Sequence, residues 1–82
     1  MKDDLQTIPG IGRAMAADLR SLGYARMADL KGEDPQKMYD RLCKKTRTRQ
    51  DPCVLYTFRC AVYFASVKKH DPELLKWWNW KK

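Results

Sequence analysis

Gly10 and Gly12, flanked by Ile8, Ile11 and Arg13, form the stretch best suited to chemistry. Both glycines permit positive φ and close backbone approach, which suits a tight turn between helices. The first amides of a helix lack partners within it and are usually covered by a Ser, Thr, Asp or Asn side chain. No such side chain stands at this helix start. The amides near Gly12, Arg13 and Ala14 are therefore expected to be open to an anion. Arg13 and Arg20, on one face of the same helix, flank that position. The plainer alternative is a glycine turn capped by water.

A second group follows. Arg41, Lys44, Lys45, Arg47 and Arg49 gather in a segment with no acid among them, and Thr46 and Thr48 add hydroxyl donors. Such clusters neutralise phosphates and release counterions, although a solvated basic loop with no partner is also common. Asp51 is expected to cap the next helix and occupy its amides. This segment should therefore bind through side chains.

Other residues carry less. Cys43, Cys53, Cys60 and His70 include no close ligand pair of the kind zinc sites use, so buried thiols and no metal are expected. Trp77, Trp78 and Trp80 alternate with Lys76, Asn79, Lys81 and Lys82. That pattern can stack on single strands. In so small a domain, at least two of the indoles are expected to close the core. Arg59, inside an apolar run, calls for an acidic partner among Asp18, Asp29 and Asp40. No catalytic constellation or cofactor motif is visible, and no enzyme is expected.

The 82 residues imply one domain, with 17 Lys and Arg against 10 Asp and Glu and a net charge of +7. That excess favours a polyanion: nucleic acid, an acidic protein or anionic lipid. The longest apolar run, Cys60 to Ala65, is too short to span a membrane, and the start of the chain lacks a signal-peptide layout. The cysteines fit a reducing cytoplasm.

Period-two alternation is absent, so the fold class is all-α with about five short helices and a tail. A first helix over about 3–7 is capped by Asp3 or Asp4. A second, from about Gly12 to Leu22, turns Met15, Leu19 and Leu22 inward and stops at Gly23. A connector covers 26–30 and ends at Gly32. Asp34-Pro35, Asp51-Pro52 and Asp71-Pro72 each signal a helix start. Met38, Tyr39 and Leu42 form the apolar face of the helix from Pro35. The helix from Pro52 is apolar nearly all round and is expected to be the most buried, with Phe58, Val62, Tyr63 and Phe64 at its heart. Lys68, Lys69 and His70 suit its negative end.

The frame Leu5…Ile8-Pro9-Gly10-Ile11-Gly12…Ala16…Leu19…Leu22-Gly23 resembles the helix-hairpin-helix motif of DNA-binding proteins. In that motif the amides starting the second helix meet a backbone phosphate. The order of elements is similar to a tandem, SAM-like arrangement: a first unit over about 3–22, a connector at about 26–31 and a second unit over about 35–69, with a tail at 70–82. The second hairpin falls at 43–51 and departs from the motif in having no glycine. Asp51-Pro52-Cys53-Val54-Leu55-Tyr56…Phe58-Arg59-Cys60-Ala61-Val62-Tyr63 and Leu75-Lys76-Trp77-Trp78-Asn79-Trp80-Lys81 extend the likeness. They resemble small stand-alone bacterial proteins labelled pathogenicity-locus or mitomycin-resistance helix-hairpin-helix proteins. The resemblance implies largely sequence-independent binding of duplex or branched DNA, without a membrane role. Together with the charge pattern, it points to contacts at Gly10, Ile11, Gly12, Arg13, Arg20, Lys44, Lys45, Arg47 and Arg49. A protein-interaction module whose basic surface meets an acidic partner is the alternative, and an exposed tryptophan tail would favour it.

Overall fold

Three aspartates followed by proline start three elements. Asp34 accepts hydrogen bonds from the Gln36 and Lys37 amides, Asp51 from Cys53 and Asp71 from Glu73. Proline at the first helical position loses nothing, because its missing N–H would have had no intrahelical partner. The structure, a computed structural model, describes residues 4–80. Its helices are α1 (Arg13–Ser21), α2 (Pro35–Thr46) and α3 (Pro52–Ser66). Single 3₁₀ turns cover Asp4–Thr7, Met27–Leu30, Pro72–Leu75 and Trp77–Trp80. Among the described residues all regular structure is helical, and no helix is long and apolar enough to cross a membrane.

The segments expected as a first helix and a connector are thus 3₁₀ turns. Neither is long enough to repay α-helix nucleation. Asp3 lies outside the described residues. Asp4 does not cap its own turn: its carboxylate accepts from the Met27 amide, 2.7 Å away, and ties the chain start to the connector. Asp29 accepts from the Ala25 and Arg26 amides.

α1 and α2 end in the same way. The Tyr24 amide reaches the Leu19 carbonyl and Gly23 reaches Arg20, with Gly23 at φ +100°. Thr48 reaches Cys43 and Arg47 reaches Lys44, with Arg47 at φ +55°. Both are Schellman closures, and an arginine stands where glycine is usual in the second. α2 runs to Thr46, a turn further than the 43–51 hairpin allowed. Lys44 and Lys45 form helix well and suit its negative end.

α3 packs against α2, the connector and both C-terminal turns. Only Pro52 and Cys53 at its start are exposed. Phe58, Cys60 and Ala61 are fully buried, whereas Val62, Tyr63 and Phe64 are half-buried. The last two face the tail: Tyr63 lies against Trp80, and Phe64 stacks on His70 at 4.4 Å. Leu5, Ile8, Ile11, Ala16, Leu19, Leu22 and Leu30 complete the core with Met38, Tyr39 and Leu42. Met15, expected inside, is half-buried.

Candidate nucleic-acid interface

The turn before α1 closes through the Ile11 amide, which donates to the Ile8 carbonyl at 3.1 Å. Gly10 has φ +85°, the left-handed region that favours glycine. Gly12 differs from expectation: at φ −92° and ψ −173° it is extended, a conformation open to any residue. It is the N-cap of α1 and makes no side-chain cap bond. The helical ladder begins with the Ala16 amide on the Gly12 carbonyl at 2.9 Å, leaving the Arg13, Ala14 and Met15 amides ahead of it. A Cβ on Gly12 would meet nothing within 4 Å, so the approach to these amides is open. Ile11 is buried and can offer only its backbone. Arg13 and Arg20 are exposed on α1.

The second group divides. All five cations are exposed, but Arg49 bonds the Tyr39 side chain and two others reach across to α1. Lys45 donates to the Ser21 carbonyl. Arg41 donates to the Leu22 carbonyl at 2.8 Å and the Tyr24 hydroxyl at 3.2 Å. Four residues apart on α2, these two side chains meet the last carbonyls of α1, the favourable end for cations. Their spacing was visible, but their partner was not. Ser21, Leu22, Arg41, Lys44 and Lys45 line an open groove of about 280 Å³. Burial and the Glu33 carboxylate, which accepts from the Tyr24 hydroxyl at 2.7 Å, push that phenol above its ordinary pKa.

The 47–50 loop is held from within. The Tyr39 hydroxyl donates to the Gln50 carbonyl, and the Gln50 amide donates to Cys43 Sγ at 3.4 Å. Thr46, expected to donate outward, gives its proton to the Leu42 carbonyl and accepts from Gln50 Nε2. Burial and the Cys43 thiol push the Tyr39 phenol up, while the Arg49 guanidinium pulls it down.

Both segments adjoin one half of α3. A Cβ on Gly10 would stand 3.6 Å from Thr57 Cγ2 and 3.4 Å from Trp77 Cδ1. Asp51, which ends the basic loop, caps α3 six residues before Thr57, a rise of roughly 9 Å. The contact of Trp77 with the glycine turn had no local signal in the sequence.

Among the described residues Arg59 pairs with none of Asp18, Asp29 and Asp40, the acids expected. It donates to the Trp80 carbonyl at 2.9 Å and lies over the Tyr56 ring. Being half-buried, it needs donors satisfied rather than its charge neutralised. Trp80 Nε1 donates to the Leu74 carbonyl at 2.8 Å. Trp77 and Trp80 are half-buried and Trp78 is exposed. His70 Nε2 bonds the Phe64 carbonyl in the last turn of α3. The cysteines go to separate places: Cys60 is buried against the Leu74 and Leu75 carbonyls, Cys43 is half-buried and Cys53 is exposed.

The model of a family described as Cdd1, pathogenicity locus, matches residues 1–82. The chain is 32% identical over 77 residues to the mitomycin resistance protein McrB of Streptomyces lavendulae, spanning 94% of this chain and 70% of the relative. No solved structure matches it. With the family model covering its whole length, the chain belongs to the Cdd1 pathogenicity-locus family.

Proposed function

We propose that the chain is a tandem helix-hairpin-helix domain that binds DNA with little sequence preference. The observation that carries this reading is the start of α1, where an open approach leads to amides that no side chain caps. Arg13 stands beside them, and Lys44, Arg47 and Arg49 supply exposed cations from the second segment. Backbone amides and cations recognise phosphate rather than base edges, so the contacts position the domain without reading sequence. Lys45 and Arg41, committed to α1 carbonyls, contribute mainly to the fold.

A salt-titrated anisotropy assay on random duplex tests the proposal. About four neutralised phosphates give a slope of log affinity on log salt near −4, with affinity roughly micromolar or weaker at physiological salt. Arg47→Ala should weaken binding to every sequence and make the slope shallower by about one. Absence of binding at low salt would sink the reading. The exposed Trp78 favours one other reading, a protein-interaction module. Pull-down by an acidic protein without DNA affinity would select it.

A further inference from the structure

We infer that Trp78 is a stacking platform for an unpaired nucleobase beside the glycine turn, so that the substrate is DNA in which duplex adjoins unpaired nucleotides. The inference rests on the proposed meeting of that turn with a DNA backbone. Trp78 is 54% exposed, although the chain around it is fixed. The Asn79 amide donates to the Lys76 carbonyl, and the Asn79 side chain donates to the Glu73 carbonyl. The Trp80 indole and carbonyl are both hydrogen-bonded. The exposure of Trp78 is therefore built in and does not come from a loose end. Its ring meets Trp77 edge-on, with centroids 5.7 Å apart at 86°. Such a contact uses at most one face of the Trp78 ring. Trp77 in turn lies against Gly10. An indole that is about half exposed thus stands one ring away from the turn.

An indole face stacks on any base, and this tolerance matches contacts that do not read sequence. Bases inside an intact duplex are already stacked on both faces and cannot use it. A gap, overhang or branch offers an unpaired base next to a duplex backbone. Charge supports a nucleic acid over an apolar partner: the chain carries +7, and the nearby Glu73 is paired with Lys76 at 3.3 Å.

The test compares wild type, Trp78→Ala and Trp78→Leu on blunt duplex, gapped duplex and duplex with a single-stranded overhang. Circular dichroism checks that each variant is folded. Wild type should prefer the gapped and tailed DNAs over blunt duplex. Both variants should lose ~10-fold or more on those DNAs and stay within about twofold on blunt duplex, as expected for one lost base stack. Trp78→Leu keeps apolar bulk without the ring face and separates stacking from packing. Unchanged affinity for gapped DNA, or equal losses on all three DNAs, would overturn the platform and leave the phosphate-binding proposal standing. No wild-type binding to any DNA would overturn both. Self-association that either substitution abolishes would assign the indole to a second copy and overturn the inference.

Discussion

Gly12 and Arg41 show how residue type and residue role part company. Gly12 has a conformational freedom that it does not use, because its φ is −92°. What matters there is the missing side chain. Gly12→Ser should fold and gain a few tenths of a kcal/mol, because serine caps better than glycine. Gly12→Asp should keep the fold as well, yet place a carboxylate where a phosphate would sit. We expect a thermal midpoint at or above wild type for both, with DNA affinity reduced several-fold by Asp. A folded Gly12→Asp protein that binds DNA normally would exclude the α1 amides as the site. Arg41 and Arg47 have the same chemistry and different duties. Arg41→Ala removes bonds to the Leu22 carbonyl and Tyr24 hydroxyl and should cost about 1 kcal/mol in denaturant unfolding. A stability of Arg41→Ala equal to wild type would refute its role as a helix tie.

At the scale of elements, every Asp-Pro start is marked locally, whereas the end of α2 is not. Asp-Pro is a local signal, complete within three residues, and all three occurrences begin a helical element. Gly23 is an equally local stop. Arg47 closes α2 in the left-handed region without a glycine, so nothing in its residue type marks the end. Arg47→Gly should relieve that strain and stabilise the protein by up to about 1 kcal/mol while removing a candidate phosphate contact. Opposite changes in unfolding free energy and DNA affinity would show both. Asp51 makes a pH prediction. Its hydrogen bond from the Cys53 amide holds its carboxyl below the usual 3.8. A depressed pKa in the folded state contributes stability above the unfolded value and loses it as pH falls through the folded one. Asp29, held down by the Ala25 and Arg26 amides, acts in the same direction. The melting temperature of wild type should therefore fall below about pH 4. Asp51→Asn, which caps without titrating, should flatten that fall in part. An unaltered acid profile would show that this cap does not couple to folding.

Over the whole molecule, residues 70–80 belong to the fold. Trp80 lies against Tyr63, hydrogen-bonds the Leu74 carbonyl and receives Arg59, so it closes one side of α3. Trp80→Ala should cost ~2–3 kcal/mol, less than a fully buried aromatic because the ring is half-buried. Phe58, fully buried, sets the upper end at ~3–5 kcal/mol for Phe58→Ala. A chain of this size has a total stability of ~4–12 kcal/mol, so either loss should be large in urea unfolding. Trp80→Ala with a wild-type midpoint would mean that the tail only rests on the domain.

Local chemistry and hydrophobic period were enough to determine the all-helical class, the Asp-Pro starts, the Met38–Tyr39–Leu42 face and the burial of Leu19, Leu22 and Phe58. These follow from interactions a few residues long or from the side of a helix that water avoids. Tertiary structure decided the rest. It set Lys45 and Arg41 against the end of α1, Asp4 against Met27, Arg59 against the Trp80 carbonyl and Trp77 against Gly10. In each case a long polar or aromatic side chain meets a partner distant in sequence. Its residue type restricts what the partner can be, but only the packed chain determines which candidate lies within reach.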